Sequence, residues 1–209
     1  PNATAYDSLG SVDDTVKILP VDGVACTVEN IKNGTYKISR PLNVVYKEAT
    51  LENEVNKAFY DFLGSSQAQK IISDNGYVST KGGAAEYTVH AGLSGKIGIS
   101  GSTSLQPLMV NLADKFRETQ PDVTVEVSGG GSGTGYKNAE NGTSVFGMIS
   151  ESFKAEKAAN CTYYEVAKDG IAVIVNKKNA VDDIALDTLK NIYNCEAGDD
   201  AVTAWDQVK

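Results

Sequence analysis

The sequence predicts an α/β fold in which helices cover both faces of one sheet. From residue 95 onward, strand patterns alternate with helix patterns, which is typical of a sheet with many parallel strands. The helix pattern at 51–63 carries one apolar stripe, so this helix is expected to pack on the sheet with a single face. No apolar run approaches the roughly 18 residues that would span a bilayer. Together these observations predict a three-layer αβα domain.

The individual elements follow from apolar periodicity and from the residues that begin and end helices. Expected strands cover residues 16–21, 42–47, 96–100, 123–128, 145–149, 163–166 and 171–175. Expected helices cover residues 27–33, 51–63, 66–74, 104–118 and 186–193, with one more beginning near residue 133. Thr27 caps the first of these helices and Gly34 ends it. The small and polar residues 81–94 are the best linker candidate in the chain.

Composition and charge exclude several classes of partner. The 209 residues are 41% hydrophobic and 22% charged, as in a typical globular protein. The net charge of −8 argues against nucleic acid or an anionic membrane as the main partner. Any anion would therefore have to be bound by local donors, against the field of the whole chain.

Cysteine and histidine are too sparse for several chemistries. The three cysteines form no CxxC pair and the single histidine is His90, so no zinc site and no other cofactor is expected. A Ser-His-Asp or Cys-His enzyme would depend entirely on His90, which lies in a polar connector. One disulfide, Cys161–Cys195 with Cys26 left over, and three free thiols both remain open.

Three loops rich in small and hydroxyl-bearing residues each follow an expected strand. They cover residues 102–104, 129–135 and 149–152. If the strands are parallel, all three loops lie at the same edge of the sheet, where ligands bind in such folds. The free N–H groups and the dipole at a helix N-terminus both favour an anion. An ordinary helix cap at the first loop and a tight turn at the second remain as structural alternatives.

The glycine-rich loop 129–135 does not match the usual nucleotide-binding motifs. A P-loop requires lysine directly after the last glycine, where this chain has Tyr136. A dinucleotide fingerprint requires glycine at the position of Thr134.

Glu151 is an unusual residue for an anion site. A carboxylate repels a deprotonated oxyanion such as sulfate, but it can accept a hydrogen bond from a protonated one such as HPO₄²⁻. The alternative is an ordinary surface glutamate at the end of a loop.

At this point several runs resemble the N-terminal half of the phosphate-binding proteins of ABC transporters. These are two-lobed type II receptors of the periplasmic-binding-protein class. The runs cover residues 99–108, 129–135, 147–151, 169–176, 186–193 and 203–205. The resemblance implies that the ligand is bound by Ser102, Thr103, Ser104, Leu105, Ser132, Gly133, Thr134 and Ser150. It also implies that Glu151 accepts the hydrogen bond from the ligand's proton, at a position where the family commonly has aspartate.

The first 80 residues resemble the C-terminal end of the same family. Matching runs cover residues 2–12, 21–25, 27–31, 36–42 and 68–78. The resemblance therefore divides the chain into a C-terminal-half segment at 1–80, a linker at 81–94 and an N-terminal-half segment at 95–209. A junction between tandem units and a circular permutation would both give this order. We expect the two segments to pack into one permuted domain with a partial second lobe, lacking the middle portion of the family.

The resemblance implies an extracellular or periplasmic solute-binding domain for phosphate or a similar oxyanion. Its partners would be an ABC transporter permease and a second chain or unit that completes the cleft, and the full-length protein would be secreted or lipid-anchored. We expect no enzymatic activity, since a phosphoesterase would need a metal cluster or a nucleophile–base pair that the sequence lacks. The alternative is a degenerate fold that serves as an interaction or adhesion module without a ligand.

Overall fold

The computed structural model describes residues 3–208. Asn2, the first residue of the run 2–12, and the chain ends Pro1 and Lys209 lie outside the described residues. The chain forms two compact units. One unit combines the two ends of the chain, up to residue 39 and from residue 169 onward, and the other consists of residues 40–168.

The elements alternate as the sequence analysis expects over most of the chain. The strands are β1 (Thr4–Ser8), β2 (Val16–Leu19), β3 (Ser39–Tyr46), β4 (Val78–Ser79), β5 (Gly95–Gly101), β6 (Val123–Ser128), β7 (Phe146–Ile149) and β8 (Thr162–Asn176). The helices are α1 (Val28–Lys32), α2 (Glu54–Leu63), α3 (Ser66–Asp74), α4 (Gln106–Thr119), α5 (Ser132–Asn141) and α6 (Leu186–Tyr193). Short 3-10 turns lie at Leu9–Ser11, Glu48–Glu52, Ala155–Lys157, Gly198–Asp200 and Trp205–Gln207.

Unit 40–168 contains a sheet with the strand order β3-β7-β5-β6. β5 pairs in parallel with β6 on one side and with β7 on the other, while β3 pairs antiparallel with β7. The expected parallel pairing therefore holds where the three loops follow their strands. The sheet as a whole is mixed, which corrects the expectation of a largely parallel one.

Helices cover both faces of this sheet and bury a separate core on each. α2, α3 and α4 lie on one face, where Leu42, Val44 and Tyr46 of β3 join the large core around Phe59, Phe62 and Phe116. α5 lies on the other face, where Val45 packs with Tyr136, Ala139 and Ile149. The alternation of β3 side chains between the two cores shows that the three-layer αβα prediction is confirmed.

Residues 81–94 lie against the main core of unit 40–168 through one aromatic anchor. Tyr87 is only 9% exposed, and its ring meets Phe62 and Phe116 edge to face at 5.6 and 5.8 Å. The buried side chain of Gln120 lies 3.1 Å from Tyr87 Oη, and with its amide in the orientation that pairs both ends it bonds to the N–H and the carbonyl of His90, at 2.7 and 2.9 Å. Composition alone does not reveal this anchor, because the neighbours of Tyr87 are small or polar.

We expect Tyr87→Ala to lower the free energy of unfolding by about 3 kcal/mol, the usual cost of removing a buried aromatic side chain. Tyr163→Ala is the matched control, because Tyr163 is 50% exposed and its loss should cost under about 1 kcal/mol. Denaturant unfolding of both variants measures the difference. Equal losses would mean that the strap formed by residues 81–94 does not depend on Tyr87.

In the unit formed by the two ends of the chain, β1 and β2 both pair antiparallel with β8. They share partners at residues 173–175, so they lie on opposite edges of β8. The sequence predicts two strands at 163–166 and 171–175, and this prediction is wrong because β8 continues through Asp169 and Gly170. Ser8 Oγ donates to the buried Asp169 carboxylate at 2.6 Å, which lets a charged residue continue the strand.

Candidate anion-binding site

The three hydroxyl-rich loops lie at one edge of the sheet in unit 40–168. Ser100 of β5 stands opposite Ser128 of β6 and Gly147 of β7, so the three parallel strands end side by side. All nine residues predicted for the site lie on these loops, at Leu105 directly after the first of them, or in the first turn of α5.

Backbone and hydroxyl hydrogen bonds tie the loops together. Ser102 N donates to Met148 O at 2.8 Å, and Gly131 N donates to Gly101 O at 2.9 Å. Ser150 N donates to Ser132 Oγ at 3.1 Å, which joins the third loop to the start of α5. The relative positions of the loops are therefore fixed before any ligand arrives.

Three glycines allow this close approach. A Cβ atom added at Gly101 or at Gly135 would overlap the backbone of Met148, and one added at Gly147 would overlap the carbonyl of Gly135. α5 thus rests directly on β7, backbone against backbone. Gly135 lies within the predicted loop 129–135, but it serves the contact between helix and strand.

The first loop presents two unpaired backbone donors. Ser102 is buried, and it accepts from Leu105 N through Oγ at 3.3 Å and from Gln106 N through its carbonyl at 3.1 Å. This turn explains why α4 begins at Gln106 and not at the expected residue 104. Within residues 3–208, the N–H groups of Thr103 and Ser104 have no hydrogen-bond partner, and neither has the Ser104 hydroxyl.

The second loop ends at the N-terminus of α5. Gly131 has φ +84°, a left-handed conformation that favours glycine, and it turns the chain into the helix. No described residue accepts from the N–H groups of Ser132, Gly133 and Thr134. The Thr134 hydroxyl donates to Gly130 O at 2.7 Å and so bonds within its own loop.

Glu151 in the third loop is an ion-pair residue in this structure. Its carboxylate accepts from Lys157 Nζ at 2.7 Å, and Lys154 Nζ lies 3.7 Å from the other oxygen. The hydrogen bond from Lys157 holds the pKa of Glu151 below its usual value, with the charge of Lys154 acting in the same direction. The carboxylate is therefore ionised near neutral pH and can only accept hydrogen bonds.

We expect Lys157→Met to raise the pKa of Glu151 toward its ordinary value. A carboxylate whose pKa is lowered by folding stabilises the native state above its unfolded pKa and loses that contribution as pH falls. The unfolding free energy of the wild type should thus fall more steeply than that of the variant between about pH 5 and pH 3. Lys137→Met, on the exposed side of α5, is the control and should leave the slope unchanged. Carboxyl ¹³C titration reports the pKa directly.

Buried polar residues beside the loops were missed from the sequence. Ser100 Oγ of β5 lies 2.7 Å from Ser144 Oγ, just before β7, and accepts from Asn138 Nδ2 of α5 at 2.9 Å. Asn43 of β3 donates to Glu151 O at 2.8 Å. Each of these residues is far in sequence from its partner, so no local motif could have indicated the contact.

Other candidate groups lie away from the loops. All three cysteines are free thiols, with Cys26 buried and Cys195 exposed. His90 is exposed on the strap 81–94. In the part of the chain that the structure describes, no three His, Cys, Asp or Glu residues are grouped to hold a metal ion. None of its helices is long and apolar enough to cross a membrane.

Comparison with known proteins defines the class. Residues 87–209 match a family model described as the PBP superfamily domain. Phosphate-binding protein PstS 2 of Streptococcus agalactiae is 39% identical over 194 residues, covering 92% of this chain and 65% of that protein. Phosphate-binding protein PstS 2 of Streptococcus pneumoniae is 33% identical over 208 residues, covering 100% of this chain and 69% of that protein.

A solved structure agrees with these matches. The crystal structure of a phosphate ABC transporter phosphate-binding protein from Streptococcus pneumoniae TIGR4 aligns with a TM-score of 0.85 at 33% identity, covering 99% of this chain and 77% of that chain. The fold is thus that of a solute-binding protein. The chain belongs to the PBP superfamily and, within it, to the PstS family of phosphate-binding proteins. It spans about two thirds of the length of these curated relatives.

Proposed function

We propose that this chain is the phosphate-binding part of an extracellular or periplasmic solute-binding protein that delivers its ligand to an ABC transporter permease. One observation carries the proposal: five backbone N–H groups that have no partner among residues 3–208 lie on two of the tied loops, at residues 103–104 and 132–134. The relatives named above are phosphate-binding proteins, which supports phosphate as the anion.

The donors suit a tetrahedral oxyanion. Those of residues 132–134 begin α5, where unpaired N–H groups and the helix dipole both attract negative charge. Ser104 adds a hydroxyl without a described partner, and Ser132 and Ser150 add hydroxyls 3.4 Å apart. These local donors offset the net charge of −8, because they act at hydrogen-bond distance while the other charges are screened by solvent. Ser102 and Leu105 are buried and hydrogen-bonded to each other, and they would keep the first loop in place.

Glu151 would select for a protonated anion. Because its carboxylate is ionised, it would accept a hydrogen bond from the P–OH group of HPO₄²⁻ or H₂PO₄⁻ and repel sulfate. Lys157 and Lys154 would offset the negative charge of Glu151 beside the bound anion. We infer a binding protein without enzymatic activity, since the named relatives are binding proteins of transporters.

We further propose that residues 1–80 and 95–209 correspond to the C-terminal and N-terminal halves of one binding-protein unit, joined by 81–94. The second wall of the cleft would come from another chain or another unit of the full-length protein. That protein would be secreted, and a lipid anchor would fit the same role.

Titration of ¹⁵N-labelled protein with phosphate tests the proposal at single residues. We expect saturable shifts of the amide signals of residues 103–104 and 132–134. Ser104→Ala should weaken binding about tenfold, as expected for one lost hydrogen bond to an anion, without changing stability. The control Thr124→Ala alters an exposed hydroxyl at the start of β6 and should bind as the wild type does. No shift at millimolar phosphate would favour the degenerate interaction module.

A further inference from the structure

Asn43 is the polar exception in a buried strand. It is 1% exposed, and its neighbours Leu42, Val44, Val45 and Tyr46 are all apolar and 0–5% exposed. An amide in such a place is expected to have all its hydrogen bonds satisfied. It has only one: Nδ2 donates to Glu151 O at 2.8 Å, while Oδ1 is buried with no partner among the described residues.

The position of Asn43 explains how it reaches the third loop. β3 is antiparallel to β7, and Asn43 stands opposite Ile149, the last residue of β7. Asn43 also shares a face of β3 with Val45, which packs against α5 and Ile149. Its side chain therefore lies under the point where the chain leaves the sheet toward Ser150 and Glu151.

We propose that Asn43 is a positioning residue for anion selectivity, a role that rests on the proposed phosphate site. By holding the carbonyl of Glu151, Asn43 fixes the backbone from which the carboxylate projects. Lys157 Nζ holds the side-chain carboxylate of the same residue at 2.7 Å. Backbone and carboxylate are thus both restrained, and Glu151 keeps one orientation in which it accepts a hydrogen bond from the protonated ligand.

Stability alone does not account for an amide at this position. An aliphatic side chain would bury apolar surface there and would leave no unpaired acceptor inside the sheet. The carbonyl of Glu151 is on a partly exposed residue and could be hydrated without Asn43. Asn43 thus lowers the stability of the strand and restrains the loop, a combination that favours a role in binding.

The test compares Asn43→Leu with Val45→Ala, a control on the same strand and face. Phosphate and sulfate affinities are measured by calorimetry, and melting temperature follows the fold. For Asn43→Leu we expect an equal or higher melting temperature, with the phosphate-to-sulfate affinity ratio lowered about tenfold, as for one lost hydrogen bond. Val45→Ala should lower the melting temperature and leave the ratio unchanged.

Other outcomes separate this inference from the proposed function. If Asn43→Leu keeps the phosphate-to-sulfate affinity ratio of the wild type, the positioning role of Asn43 is overturned. It is also overturned if both Asn43→Leu and Asn43→Val fail to fold, since Asn43 would then be needed for the sheet itself. If the wild type binds no phosphate, the proposed function fails. The positioning role is then tested by the hydrogen-exchange rates of amides 150–152, compared between Asn43→Leu and the wild type. Faster exchange at these amides alone in Asn43→Leu supports positioning, and unchanged exchange contradicts it.

Discussion

Gly135→Ala is expected to destabilise unit 40–168 by about 3 kcal/mol or more, a larger loss of stability than most single substitutions cause. The added Cβ would overlap the backbone of Met148 in β7. Backbone atoms cannot rotate away as the end of a side chain can. β7 is also hydrogen-bonded to β5 on one side and to β3 on the other, so it cannot shift without breaking one of these pairings. α5 would have to move outward and carry the donors of residues 132–134 with it.

Gly133→Ala provides a matched control in the same helix. A Cβ at Gly133 would meet nothing within 4 Å, and alanine favours a helix by up to about 1 kcal/mol over glycine. Gly133→Ala should thus equal or exceed the wild type in unfolding free energy, measured by denaturant unfolding. Equal effects of the two substitutions would mean that the contact between α5 and β7 is not as close as the structure shows.

The elements around the site could be predicted because their signals are local. The β5-α4-β6-α5-β7 order follows from alternating strand and helix patterns, and β6 lies at the predicted residues 123–128. Helix caps were equally readable, as with Thr27, which accepts from Asn30 N at 3.2 Å. The convergence of the three loops then followed from the parallel pairing of their strands.

What the sequence did not reveal depends on contacts between distant residues. β1 has a mostly exposed pattern, so its pairing with β8 leaves no apolar alternation to detect. The continuity of β8 through Asp169 requires Ser8, which lies 161 positions away. Asn43 would be predicted as an ordinary strand residue, since its hydrogen bond to Glu151 O crosses from one strand to the loop after another.

Glu151→Gln is expected to change the choice between anions more than any other substitution in the site. The neutral amide would no longer repel sulfate, and its NH₂ group could donate to sulfate oxygens. We expect phosphate affinity to fall and sulfate affinity to rise, so that the ratio of the two shifts on the order of a hundredfold. Calorimetry with each anion at pH 7 measures the ratio. Glu86→Gln is the control: it changes the net charge by the same amount, at an exposed residue of the strap 81–94, and should leave the affinity ratio unaltered.

The Glu151→Gln background also tests the role of Asn43 more sharply than either single variant. If Asn43 acts only by orienting the Glu151 carboxylate, then Asn43→Leu should have little further effect on the anion ratio once that carboxylate is gone. Independent effects would add in the double variant and would show that Asn43 acts on the ligand by another route. The changes in melting temperature caused by Asn43→Leu and Glu151→Gln should add in the double variant, because the stability cost of the buried Asn43 amide does not depend on the charge of Glu151.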